Sequence, residues 1–75
     1  MFDSNILKEK IENHLTGAIA NVRNPRGDGE HFLVEVIWQG FESMRLLEQH
    51  KKVYEALDSE FKEGLHSISL KTKTN

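Results

Sequence analysis

The chain has 75 residues, room for one domain and one modest core, and at this size folding hides only about 60% of the unfolded chain's surface. Lys and Arg total 10 against 12 Asp and Glu, a formal net charge of −2 that excludes the overall basic balance of a protein coating nucleic acid. Cysteine is absent, which excludes disulfides and any metal or iron–sulfur site built from the chain's own thiolates.

Met1 to Lys10 mixes charged and apolar residues and resembles neither a signal peptide nor an arginine-rich transit sequence. No apolar run approaches membrane-spanning length, so the expected address is the cytoplasm, without membrane association. Asp3 or Ser4 is placed to cap a first helix whose apolar residues Leu7, Ile11 and Leu15 recur every fourth position, and Gly17 to end it. Ala18 to Val22 reads as a short, weak strand, followed by a turn-rich loop, Asn24-Pro25-Arg26-Gly27-Asp28-Gly29. His31 to Trp38 carries the strongest strand signal and closes a hairpin across that loop.

Gln39 to Ser43 breaks the pattern. A second helix is expected from Met44 to Phe61, with Leu46, Leu47, Val53, Tyr54, Leu57 and Phe61 as its buried stripe and His50 within it. Gly64 closes that helix. Leu65 to Thr72 then alternates, placing His66, Ile68 and Leu70 on one face of a third strand and Ser67, Ser69 and Lys71 on the other. The chain thus reads as one α+β domain, residues 1–75, of αββαβ order, with two helices on a three-stranded sheet. The last strand follows a long helix and is free to return parallel, which makes a mixed sheet; strand order is not readable from periodicity.

His66, at the start of the last strand, stands on a rigid support that still reaches solvent, as a shared metal ligand requires. On the residues alone, a single histidine at a sheet edge reads first as a half-buried structural residue and only second as a ligand. His31 follows the glycine loop, which is expected to let it swing. Two histidines do not complete a four-ligand site, so a metal held by this chain alone is not expected and the remaining ligands would come from a partner. His50 fits packing at the helix–sheet boundary, and His14 a favourable dipole contact at a helix C-terminus. Arg45, Lys51, Lys52, Lys71 and Lys73 are the candidate nucleic-acid-binding cations, with Glu42, Glu48 and Glu55 interspersed among them. No Walker or dinucleotide motif, nucleophile with base, or paired carboxylates in an apolar setting is present, so catalysis is not expected.

Phe41-Glu42-Ser43-Met44-Arg45-Leu46-Leu47-Glu48-Gln49-His50-Lys51-Lys52-Val53-Tyr54-Glu55-Ala56-Leu57, followed by Leu65 to Thr72, resembles the signature of the BolA-like family. Gly27-Asp28-Gly29-Glu30-His31-Phe32 resembles the loop of its IbaG-like branch. The resemblance implies a fold similar to class II KH domains and a partnership with a monothiol glutaredoxin. In such a pair a [2Fe-2S] cluster is held jointly by a glutaredoxin cysteine, a glutathione thiolate and histidine of the BolA-like chain, with no cofactor in the isolated chain. His66 falls on the family's C-terminal ligand position, with His31 as second candidate. Iron–sulfur trafficking or iron sensing, and a part in stress response, follow as the implied role. The exposed side of the second helix and the end of the third strand become the expected docking surface, and the chain alone a monomer or weak homodimer.

Two alternatives stay open: a KH-like DNA-binding regulator and a metal-free interaction module. The family usually has glycine and lysine where Ser43 and Met44 stand, and arginine at the positions of Gln49 and Lys51. These departures, and the lack of a second glycine in Gly40-Phe41-Glu42-Ser43, bear on nucleic-acid contacts more than on fold.

Overall fold

In the computed structural model, which describes residues 2–74, helix α1 spans Ser4–His14. The Asp3 carboxylate accepts from the Asn5 N–H at 2.7 Å, occupying one of the unpaired first-turn donors. Leu7, Ile11 and Leu15 are buried at the predicted spacing. Gly17, at φ +89°, turns the chain into strand β1, Ile19–Arg23. One buried residue joins these two elements. Ala20 donates its N–H to Glu12 at 2.9 Å and accepts from the Lys8 ammonium at 2.9 Å, so side chains of α1 satisfy both of its backbone groups.

Strand β2, His31–Ile37, pairs antiparallel with β1 and parallel with β3, Ser67–Lys73, in the order β1-β2-β3. The sheet is mixed, as the long return connection allows, and the protein is α+β. Phe32, Val34 and Val36 face the helices and are buried, together with Ala20 of β1 and, half-buried, Ile68 and Leu70 of β3. The alternate residues face away from the helix layer.

The chain leaves β2 at Trp38 and makes a 3-10 turn, Gln39–Phe41, that the sequence pattern registers only as a break. Trp38 donates its indole N–H to the Thr16 carbonyl at 2.9 Å and meets the fully buried Phe41 ring edge-on at 5.1 Å. Position 40 must be glycine for this turn to close, since a Cβ there would lie 2.6 Å from the Trp38 ring.

The long second helix expected from Met44 to Phe61 is instead two: α2, Leu46–Ala56, and α3, Asp58–Lys62, separated at Leu57. Leu57 keeps its place in the core, and its N–H is shared between the Val53 and Tyr54 carbonyls. The stripe is also shorter than expected: Leu46 and Leu47 are 61% and 68% exposed, and Tyr54 is exposed as well. The core-facing residues of α2 begin at Gln49 and His50, because the first turn lies past the edge of the core. Gln49 ties that edge down, donating to the Met44 carbonyl at 2.9 Å and accepting from the Thr72 hydroxyl at 2.5 Å.

Helix α3 ends in a Schellman motif: Leu65 N–H donates to Glu60 O at 2.9 Å and Gly64 N–H to Phe61 O at 3.3 Å, with Gly64 at φ +114°. This motif buries Leu65 and delivers the chain to the start of β3. Among the described residues, no helix is long and apolar enough to cross a membrane.

Glu60 is the buried charged residue of this core, and its carboxylate pairs with Lys10 of α1. Burial pushes its carboxyl up, but the Lys10 ammonium, its own N–H and the Ser59 hydroxyl outweigh this and hold it below its ordinary value. A carboxyl lowered on folding contributes stability above its unfolded value and loses it as pH falls. Lys10→Met keeps the apolar stem and removes the countercharge. It is expected to cost about 2 kcal/mol at pH 7, after discounting for the part-exposed lysine. Urea midpoints measured across pH should rise between about pH 3 and 5 in the native chain and rise less steeply in the variant, which keeps the lowered carboxyls of Glu12, Asp28 and Glu35.

Candidate metal-ligand site

Parallel pairing brings both strand starts to one end of the sheet, with His31 opposite Ser67. His66 stands one residue before the ladder, immediately after the buried Leu65. The sequence pattern assigned His66 to the face of Ile68 and Leu70. Outside the ladder, however, strand alternation does not hold its ring there, and it lies instead against His31. The two imidazoles are stacked, with centroids 6.1 Å apart and planes 10° from parallel. His66 is 65% exposed and His31 43%, so both rings are open to another molecule.

The loop before His31 is held rather than swinging freely. Asn24 O accepts from Gly27 N–H at 3.0 Å, closing a turn around Pro25 and Arg26. Asp28 then accepts from the backbone N–H groups of Glu30 at 2.9 Å and His31 at 3.1 Å. Phe2 N–H donates to the carbonyl of Gly29 at 3.0 Å, tying the loop to the N-terminal segment. The ordered loop thus carries its own carboxylates to the histidines.

Asp28 Oδ2 lies 3.0 Å from Nδ1 of His31. The Glu30 N–H, then the His31 ring and the His31 N–H, outweigh burial and hold the Asp28 carboxyl well below the usual carboxylate range. An ionised carboxylate only accepts, so Nδ1 of His31 carries the hydrogen, and in the neutral ring the Nε2 lone pair is left available. A carboxylate on one imidazole nitrogen and an open lone pair on the other is the arrangement that orients histidine ligands towards metals. His66 repeats it more loosely, its Nδ1 lying 3.7 Å from Glu30 Oε1. Two imidazole donors without a thiolate fit a contribution to a shared metal centre and leave its other positions to outside ligands.

The remaining candidates lie elsewhere. Arg45 caps α2, and Lys51 and Lys52 belong to that helix, whereas Lys71 and Lys73 stand on the sheet face turned away from it. The structure does not gather these cations on one surface, and Lys73 is paired with Glu35 at 3.3 Å. His50 is half-buried, with Nε2 shielded from solvent and without a hydrogen-bond partner, in keeping with a packing position. His14, the last residue of α1, is exposed. Sequence reasoning did not identify Asp28 and Glu30 as part of the site; the available signal was the acid–x–acid–His spacing of residues 28–31.

Fold and site together define a small α+β domain that presents a pair of histidines where two parallel strands begin. Residues 5–75 match the family model described as BolA-like protein, and the chain belongs to that family. It is 38% identical over 55 residues to chloroplastic BOLA1 of Arabidopsis thaliana, covering 73% of this chain and 34% of the relative. With BolA-like protein 1 of Mus musculus it shares 32% identity over 75 residues, covering 91% of this chain and 55% of the relative. The chain thus spans about a third and about half of the lengths of these two relatives. A solved structure of a bolA protein homologue from Coxiella burnetii superposes with a TM-score of 0.82 at 35% identity, covering 99% of this chain and 92% of the other.

Replacing Asp28 with asparagine tests the tautomer assignment, because the amide oxygen can still accept the backbone N–H groups but lacks the charge that holds the ring proton. Nitrogen-detected NMR of the histidine rings is expected to show His31 protonated at Nδ1 in the native chain and mainly at Nε2 in Asp28→Asn.

Proposed function

We propose that this chain is a non-enzymatic adapter that pairs with a monothiol glutaredoxin and contributes histidine to a jointly held [2Fe-2S] cluster, in iron–sulfur trafficking or iron sensing. The observation that carries this reading is the exposed, parallel pair His31 and His66, each with a carboxylate near Nδ1. His66 is the principal ligand and His31 the second, both through Nε2. Glutathione and a partner cysteine supply the thiolates that this chain lacks.

The cluster supplies iron whose potential rises when imidazole replaces thiolate. The chain's own part is to hold open lone pairs at a rigid strand start. It can also release them, because protonation of Nε2 removes the donor and makes ligation weaken as pH falls. A DNA-binding role has less support, since the cations it would use are divided between the helix layer and the opposite sheet face.

The test mixes the protein with a monothiol glutaredoxin, glutathione, iron and sulfide, and compares visible absorption and circular dichroism for the native chain, His66→Ala and His31→Ala. His66→Ala is expected to shift the spectrum to that of the glutaredoxin's own cluster, and His31→Ala to alter it less. Spectra unchanged in both variants would overturn the ligand assignment.

A further inference from the structure

The loop-borne carboxylates change what this end of the molecule can do without a partner. We propose that Asp28, Glu30, His31 and His66 form a binding site in the isolated chain for a single divalent transition-metal cation of the zinc type. Ligating atoms of Asp28, Glu30 and His31 already lie within 4.8 Å of one another. His66 comes from a different strand and faces the same group, its Nδ1 lying 3.7 Å from Glu30 and its ring parallel to that of His31.

The distances suit a small ion. Zinc bonded to nitrogen and oxygen at about 2.1 Å in a tetrahedron separates its ligands by about 3.4 Å. The Asp28–His31 separation of 3.0 Å and the Glu30–His66 separation of 3.7 Å lie on either side of that edge. What remains is to bring the two pairs together, and the exposed Glu30 and His66 side chains are free to rotate inward. Imidazole with carboxylate, and no thiolate, selects zinc-like divalent cations over cuprous ion.

This site uses the Nδ1 atoms, whereas the cluster reading uses Nε2. When a cation replaces the hydrogen at Nδ1, the neutral ring carries its proton at Nε2 and that lone pair is no longer available. Zinc occupancy and cluster ligation are then mutually exclusive at His31 and His66. The zinc site does not depend on the cluster reading being correct, and its test needs no glutaredoxin.

Calorimetry and competition against a chromophoric chelator, with zinc ion and the native chain, are expected to show one equivalent bound. His31→Ala, His66→Ala and Asp28→Asn should each weaken binding about tenfold or more, while His14→Ala leaves it unchanged. Circular dichroism of each variant checks that these surface substitutions leave the fold intact. Absence of uptake at 100-fold excess zinc, retention of affinity in His31→Ala with His66→Ala, or dependence on His14 would each overturn the proposal. None of these outcomes would touch the cluster reading, whose readout is the spectrum of the complex.

Discussion

The parallel ladder between β2 and β3 is the constraint on which the rest depends. In an antiparallel pair, the start of one strand lies beside the end of the other, and His31 and His66 would stand at opposite ends of the sheet. The parallel register sets His31 against Ser67, so two histidines far apart in the chain become neighbours. That register needs a return connection of fixed length, which α2 and α3 supply. The Gln49–Thr72 hydrogen bond holds α2 to β3, and the Schellman motif at Gly64 turns the chain into the strand. The Schellman motif lies directly before His66, so the position of that ring depends on the turn at Gly64.

Around this scaffold the chemistry is set by carboxylates rather than by further ligands. Asp28 orders the loop through two backbone N–H groups and the His31 ring through Nδ1, so one side chain sets both where the imidazole stands and which nitrogen is open. Glu30 approaches His66 less closely and leaves that ring more exposed. The same imidazoles thereby offer two nitrogens, one already near acids on this chain and one with no partner among these carboxylates. In the two proposals, which nitrogen loses its proton decides between a single cation and a shared cluster.

Features set by neighbouring residues were legible in the sequence: a first-helix cap at Asp3 or Ser4, which the structure resolves to Asp3, the Leu7–Ile11–Leu15 stripe, and the turns at Gly17 and Gly64. Each depends on interactions within a few positions. The extent of the second helix was not legible, because periodicity reports which side of a helix is apolar and not where the sheet beneath it ends. Leu46 and Leu47 therefore read as core and stand exposed. Family resemblance pointed to His66 and His31 separately, but their stacking and their carboxylates depend on strand register and loop hydrogen bonds, which are non-local. Asp28 read only as a turn residue, though the acid placed three positions before His31 puts its carboxylate within reach of the ring.

The central claim is that imidazole nitrogen from this chain reaches iron. Pulsed electron paramagnetic resonance of the reduced, cluster-loaded complex, prepared with the chain labelled at histidine nitrogens, measures this directly. The account predicts a strongly coupled histidine nitrogen that disappears in His66→Ala. Weak backbone couplings alone, the same with and without His66, would contradict it.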